Sequence, residues 1–106
     1  MSSHLVINAP TLPGVFTVPV TGVWRVSFTL RSEVTSGQWN NVYVYHNLQK
    51  IEETRHETYS RDELVNSTGG RELITRAEQG DTFHLGTGEM DGYFRNIITC
   101  FEFVSL

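Results

Sequence analysis

"GVFTVPVTGVWRVSFTLR", residues 14–31, contains the pattern that decides the fold. Pro19 and Gly22 mark a turn, because proline presets one turn torsion and glycine tolerates the others. After that turn, apolar and polar side chains alternate: Trp24, Val26, Phe28 and Leu30 with Arg25, Ser27, Thr29 and Arg31. A helix would place its apolar residues three or four positions apart, whereas a period of two is that of a strand with one buried face. The stretch therefore predicts a turn followed by a half-buried β-strand.

The length and composition of the chain limit the classes of protein to which it can belong. The chain has 106 residues, of which 39% are hydrophobic and 19% charged, which suits one globular domain. It has no apolar run near the ~18 residues of a membrane helix, so we expect no membrane insertion. Eight basic and twelve acidic residues give a net charge of −4, and the basic ones are scattered, so we expect no nucleic-acid partner. The single cysteine excludes an internal disulfide framework.

The rest of the chain also favours strands. Residues 42–46 are rich in β-formers, and residues 50–59 are polar and suit an exposed edge strand or a hairpin return. Glycine-containing stretches predict loops at 66–70 and 86–92, with a strand at 71–77 between them. No segment has a convincing helical pattern. Short strands separated by glycine turns predict an all-β fold, either an antiparallel β-sandwich or a jelly roll.

The last segment, "YFRNIITCFEFV" at residues 93–104, is apolar on both parities. A strand with two apolar faces needs both faces covered. We expect one face to pack on the core and the other to meet a second subunit, and the pattern leaves open which is which. Cys100 lies within this run, which favours burial and low reactivity. The residues concerned are Ile98, Cys100 and Val104 on one parity, and Ile97, Phe101 and Phe103 on the other.

Three stretches together resemble the C1q-type globular domain. "GVFTVPVTGVWRVSF" is similar to the family's G-x-F-x-x-P-x-x-G-x-aromatic-x-h-x-F pattern, where h is hydrophobic. "RELITRAEQGDTFHL" resembles its strand pair around a Gly-Asp turn, and "YFRNIITCFEFV" lies where the family ends in a short aromatic strand. The resemblance covers about residues 14–104. The matching positions are Gly14, Phe16, Pro19, Gly22, Trp24, Val26, Phe28, Gly80, Asp81, Leu85 and Phe101.

Two departures from the family pattern concern the ends of the domain. Only 13 residues precede Gly14, so we expect residues 1–13 to be a short leader or a truncated first strand, followed by the jelly-roll domain at 14–106. Cys100 replaces the glycine of the family's terminal F-S-G-F. These departures bear on the first strand and on subunit packing more than on the fold.

The resemblance implies a function as well as a fold. It implies a C1q/tumour-necrosis-factor-like jelly roll that forms a compact homotrimer and is secreted or extracellular. Such a domain is a non-catalytic recognition module, of the kind used in innate immunity, that binds protein or glycan ligands on cell surfaces through its loops. A monomeric carbohydrate-binding jelly roll is the alternative, since Tyr43 and Tyr45 share one face and could stack on sugars. Covering the core or a subunit boundary is the more common role of such rings.

Candidate sites are few. We assign ligand binding to charged residues of the expected loops and exposed edge, and Asn66 begins an Asn-Ser-Thr sequon that we expect in a loop, which makes it a glycosylation candidate. No cofactor is expected, except that Ca²⁺ binds some C1q-like domains. Glu89 and Asp91 are the weak candidates for Ca²⁺, against the simpler interpretation of a solvated acidic loop. The ligand-binding candidates are Glu53, Arg55, Arg61, Asp62, Glu89 and Asp91.

Nothing in the sequence indicates catalysis. There is no G-x-S-x-G motif and no H-x-H metal pair, so we expect no enzyme. His46 and His56 could meet across a hairpin and share a metal, although such histidines more often have structural roles. The Gly80-Asp81 pair is best explained as turn chemistry, with glycine at positive φ and the aspartate bonding the local backbone.

Overall fold

Two four-stranded antiparallel sheets make up the structure, a computed structural model that describes residues 2–7 and 14–106. For residues 2–7 and for Glu89 the description is limited to the backbone. The strands are β1 Ser2–Ile7, β2 Phe16–Thr17, β3 Gly22–Val34, β4 Trp39–His46, β5 Gln49–Tyr59, β6 Val65–Ala77, β7 Thr82–Met90 and β8 Tyr93–Ser105.

Strand order identifies the topology. Sheet A has the order β1-β8-β3-β6, and sheet B has the order β2-β7-β4-β5. Most neighbours in each sheet are distant in sequence, as in the double Greek key of a jelly roll. The predicted all-β jelly-roll sandwich is confirmed. No helix in the described part of the chain is long and apolar enough to span a bilayer.

β3 follows the alternation found in the sequence. Trp24, Val26, Phe28 and Leu30 are at most 2% exposed. The side chains between them point to the other face of the sheet, and β3 is paired along its length with β6 on one side and β8 on the other. The half-buried strand predicted after the Pro19–Gly22 turn is therefore correct, and it lies in the middle of sheet A.

The core lies between the two sheets. Sheet B contributes apolar side chains from β4 and β7, and sheet A contributes those of β3 and β8. Residues 49–59 form the edge strand β5 of sheet B, as the polar sequence predicts, and its burial alternates from Thr54 onward. The fully buried core members outside β3 include Val18, Val42, Val44, Phe83, Phe94 and Ile97.

Two predicted loops are wrong. Residues 66–70 lie inside β6, and of residues 86–92 only Asp91 and Gly92 connect β7 to β8. The physical reason is that these glycines mark close approach within a sheet rather than turns. A Cβ at Gly70 would overlap the carbonyl oxygen of Phe28 in the neighbouring strand. By contrast, Gly80 does form the expected turn, with a φ of 94°.

The structure shows which of the two apolar faces of β8 packs on the core. Ile97, Thr99 and Phe101 point into the core and are at most 4% exposed, whereas Ile98 and Val104 point outward and are 43% and 45% exposed. Cys100, on the outward parity, is partly buried. Phe103 packs its ring edge against Trp24, with centroids 5.5 Å apart. The outward face of β8 is the one that a second subunit would have to cover.

The start of the chain contributes a strand. Ser2–Ile7 pairs antiparallel with β8, from Ser2 opposite Glu102 to Ile7 opposite Ile97. Met1 and residues 8–13 lie outside the described residues, and so does the junction between this strand and the domain at 14–106.

Candidate binding surfaces

Three connections meet at one end of the sandwich, which we call the loop end: residues 35–38, 60–64 and 91–92. Backbone hydrogen bonds join them, since Gly37 N donates to Ser60 O and Ser60 N donates to Gln38 O, each over about 3 Å. Asp91 closes the set, because its Oδ2 accepts from Trp39 N at 3.0 Å and its own N donates to Trp39 O at 2.9 Å. The loop end is therefore one tied surface rather than three separate loops.

The structure brings together only some of the predicted ligand-binding residues. Arg61, Asp62 and Asp91 are all exposed at the loop end. Glu53 and Arg55 are exposed too, but they lie along β5, away from the loop end. The side chain of Glu89 lies outside the described part of the chain. The charged candidates thus form two groups, of which the loop-end group is the more compact.

Arg55 and Asp91 already have partners within the chain. Arg55 Nη2 contacts Glu57 Oε1 at 2.6 Å, and this hydrogen bond raises the pKa of the Arg55 guanidinium. Asp91 holds a backbone amide with one carboxylate oxygen. Among the described side chains no three His, Cys, Asp or Glu residues are grouped as metal ligands. Ca²⁺ binding through Glu89 and Asp91 stays a prediction.

An exposed aromatic pair lies beside the loop end, and sequence reasoning did not find it. Trp39 and Tyr59 are directly opposite in the β4–β5 ladder, with ring centroids 4.2 Å apart and planes tilted by 35°. They are 37% and 44% exposed, and Met90 nearby in sheet B is 45% exposed. Only the hairpin register brings these rings together, and the sequence contains no direct signal of that register.

The tyrosine pair that the sequence singled out is less accessible. Tyr43 is only 5% exposed, and Lys50 Nζ lies 4.6 Å above its ring. Tyr45 stacks on His84 with centroids 4.8 Å apart. The rings lie close over β7, where a Cβ at Gly86 would overlap Tyr45. The accessible aromatic surface of sheet B is therefore at the loop end.

The outward face of sheet A is the second candidate surface. Cross-strand register places its residues in three rows that run from β6 through β3 to β8. Ile74 and Ile98, at opposite corners of this face, are 54% and 43% exposed. The rows are Ile74–Arg25–Glu102, Glu72–Ser27–Cys100 and Gly70–Thr29–Ile98.

Arg25, in the first of these rows, is paired within the chain. Arg25 Nη1 contacts Glu102 Oε1 at 2.7 Å, and its Nε lies 3.4 Å from Glu72 Oε1. At Gly70 the face has a shallow depression, lined in part by Ser27 and Thr29, because no side chain fills that position. The surface thus combines exposed aliphatic side chains, a hollow and a neutralised arginine.

A hydrogen bond between a histidine and an aspartate lies at the opposite end of the sandwich. His46 Nε2 lies 3.0 Å from Asp81 Oδ2, which also accepts a hydrogen bond from Glu78 N at 2.9 Å. The bond from Glu78, with those of the Asn47 and His46 side chains, lowers the pKa of Asp81 to about 2. The predicted turn chemistry of Gly80-Asp81 is confirmed. The possible metal shared by His46 and His56 is wrong, since His56 points inward beside Gly69.

Asn66 is exposed, but it lies on β6 opposite Glu33 rather than in a loop. β6 is an edge strand, so the side chain faces solvent at the border of sheet A. Glycosylation at Asn66 stays a prediction, now on a strand.

Comparison with known proteins identifies the fold. No family model and no curated protein matches the sequence. The structure is similar to that of Eiger TNF from S. frugiperda, with a TM-score of 0.62 and 13% identity over 97% of this chain and 87% of that one. It is also similar to part of a β-glucosidase from Paenibacillus barengoltzii, with a TM-score of 0.55 and 20% identity over 94% of this chain. This chain spans only 10% of the length of that enzyme. At such identities the likeness shows the fold alone, a TNF-like jelly roll.

Proposed function

We propose that this chain is a non-catalytic recognition domain of the C1q type that forms a compact homotrimer and binds protein or cell-surface ligands outside the cell. The observation that carries the proposal is the outward face of sheet A. It exposes Ile74, Ile98 and Val104 on one side of a sandwich whose core is already complete. Apolar side chains grouped on one face of a domain are typical of an interface.

The pairing of Arg25 supports burial of this part of the face against a copy of the chain. Arg25 lies between two carboxylates, so covering it does not isolate a cation. The hollow at Gly70 offers a place for a protruding side chain. A threefold ring uses a heterologous contact, in which the face of one copy meets a different surface of the next. The TNF-like fold is consistent with such a ring.

The mass in solution tests the assembly. Multi-angle light scattering should give three times the 12.1 kDa of the chain. Ile98→Asp should give the mass of one chain with unchanged β-sheet circular dichroism, because the charge would be buried in the interface. Leu48→Asp is the matched control, since Leu48 is 80% exposed in the β4–β5 turn, and it should stay trimeric. A monomeric wild-type chain, or a trimeric Ile98→Asp variant, would contradict the proposal. A measurement with EDTA tests whether Ca²⁺ contributes.

The loop end is the proposed ligand surface. Arg61, Asp62 and Asp91 lie there on tied connections, which hold their positions without blocking access. Alanine at Arg61 and Asp62 should weaken binding to a cell-surface ligand, whereas alanine at Glu53, on β5, should weaken it less. A larger effect at Glu53 than at Arg61 and Asp62 would assign binding to the edge strand instead.

A glycan-binding surface is the second candidate function, and the exposed Trp39–Tyr59 pair favours it. Aromatic rings stack on the apolar faces of sugars, and Asp91 and Gln38 next to the pair supply polar groups. In this alternative the domain works as a monomer. Glycan-array binding that is lost in Trp39→Ala and retained in Tyr43→Ala would support it, and the absence of any glycan binding would exclude it.

A further inference from the structure

The interior of the sandwich is polar at one border, where the edge strands β5 and β6 of the two sheets lie beside each other. Thr54, His56 and Thr58 point inward from β5 and are 0%, 7% and 6% exposed. Thr54 is well bonded, since its hydroxyl donates to Ile51 O at 2.7 Å and accepts from Val44 N at 2.8 Å. Within residues 14–106, His56 Nδ1 and Thr58 Oγ1 have no hydrogen-bond partner. His56 is thus a buried imidazole that the fold accommodates without bonding Nδ1.

β6 provides the space for this ring. Gly69 faces it, and a Cβ there would overlap His56 Nε2 and lie 3.0 Å from Cδ2. The imidazole therefore packs directly on the backbone of β6, and it bridges the edges of the two sheets. The ring thus lies at the contact between β5 and β6.

Among the described side chains, no anion acts on the pKa of His56. Arg71 of β6 is the charged group whose field acts on the ring. The inward residues of β3 in this region, Leu30 and Ser32, are uncharged, and so is Val42 of β4, which is opposite His56 in the ladder. Glu57 and Arg55 belong to the outward parity of β5 and pair with each other. Burial, and then Arg71, lower the pKa of His56.

We propose that His56 is an acid-sensitive latch that keeps β5 against β6 when neutral and releases β5 from the sandwich when protonated. A protonated imidazole would be a second cation beside Arg71 in a site without a carboxylate, so the protein relieves it by exposing the ring. β5 is the element that moves, because its ladder with β4 is the shorter one and is interrupted between Val42 and Val44, whereas β6 is paired without interruption over 13 residues with β3. The inference is independent of trimer formation and of ligand identity.

Hydrogen exchange of the full chain tests the latch. Rates at pH 7.5 and pH 5.0, corrected for intrinsic exchange, should show faster opening of residues 49–59 at the lower pH and little change in residues 22–34. The acceleration is limited to about 30-fold, since a freely exposed histidine titrates with a pKa of about 6.5. His56→Gln should remove the acceleration. His84→Gln is the matched control, because His84 stacks on Tyr45 on the outward face of sheet B, and it should retain the acceleration.

Two further measurements make the outcome decisive. Arg71→Gln should reduce the acceleration, since it removes the neighbouring cation. If His56→Gln does not fold, an NMR titration of the wild-type ring replaces it, and the latch requires His56 to titrate below the range of a free histidine. An unchanged acceleration in His56→Gln, uniform exchange in all strands, or a ring that titrates like a free histidine would each overturn the proposal.

Discussion

Phe16 and Phe101 stack almost in parallel, with ring centroids 4.2 Å apart and planes only 4° from each other. Phe16 belongs to the two-residue strand β2 of sheet B, and Phe101 belongs to β8 of sheet A. The stacked pair therefore joins the two sheets across the core. The pair also shows which face of β8 is buried. Because side chains alternate along a strand, Ile98 and Cys100 point away from the core when Phe101 points into it.

The two parities of β8 should respond differently to a charge. Phe101→Asp places a carboxylate in the core beside Phe16 and should unfold the domain, because an unpaired buried charge is not tolerated. Ile98→Asp, three residues away on the outward parity, should keep its β-sheet spectrum. Circular dichroism and thermal unfolding distinguish the two variants. Similar melting of both would mean that the assignment of the faces is wrong.

Truncation of a central core ring should be costly. Phe28 is 2% exposed in the middle of sheet A, between ladders to β6 and β8. Phe28→Ala should lower the free energy of unfolding by about 3–5 kcal/mol, through lost burial and the cavity that remains. Thr17→Ala, at an exposed position of β2 in sheet B, is the control and should change it by less than about 0.5 kcal/mol. Denaturant titration measures both, and a cost below 1 kcal/mol at Phe28 would contradict its central position.

Sequence reasoning succeeded where one physical requirement dominates. The alternation from Trp24 to Leu30 identifies β3, because a strand with one wet face needs nothing more to specify it. The turn at Gly80 was equally clear, since positive φ and a bonded aspartate leave few alternatives. In both cases the signal lies within a few consecutive residues.

The misassigned features depend on residues that are distant in sequence. Gly70 and Gly86 look like turn residues until Phe28 and Tyr45 are placed against them. The faces of β8 could not be assigned because both parities are apolar, and because a bulge near Asn96, with a φ of 52°, shifts the alternation. The Trp39–Tyr59 pair likewise depends on hairpin register. Such features require the tertiary structure.

Gly69 should not tolerate a side chain. Gly69→Ala would force its methyl group against the His56 ring, and overpacking of this kind costs about 1–3 kcal/mol. Gly14→Ala is the control, because a Cβ there meets nothing within 4 Å. Combining Gly69→Ala with His56→Ala should recover part of the loss, since the ring is then gone. Additive costs in this double-mutant cycle would show that the two residues are not in contact.

Cys100 reports on coverage of the outward face of sheet A. It is partly buried in the single chain, opposite Ser27, and lies one row from Ile98. In the proposed trimer it should react slowly with a thiol reagent, whereas in the dissociated Ile98→Asp variant it should react several-fold faster. The reaction of 5,5′-dithiobis-(2-nitrobenzoate) under native conditions measures both rates. Equal rates, with the difference in mass present, would place the interface on another surface.

Asp81 should stabilise the fold in a pH-dependent way. Its carboxylate accepts bonds from Glu78 N and His46 and ties the β6–β7 turn to the end of β4, which lowers its pKa to about 2 from the ordinary aspartate value near 4. Because the folded pKa is below the unfolded one, the stabilisation is complete above about pH 4 and is lost as the pH falls through about 2.

Asp81→Asn should therefore melt at a lower temperature than the wild type at pH 7, and the difference should shrink between about pH 4 and pH 2. Protonation of His56 affects both proteins equally, so the comparison isolates Asp81. Asp62→Asn, at an exposed position of the loop end, should show no such difference at any pH. A constant gap between Asp81→Asn and wild type down to pH 2 would mean that the side chain acts by shape and not by charge.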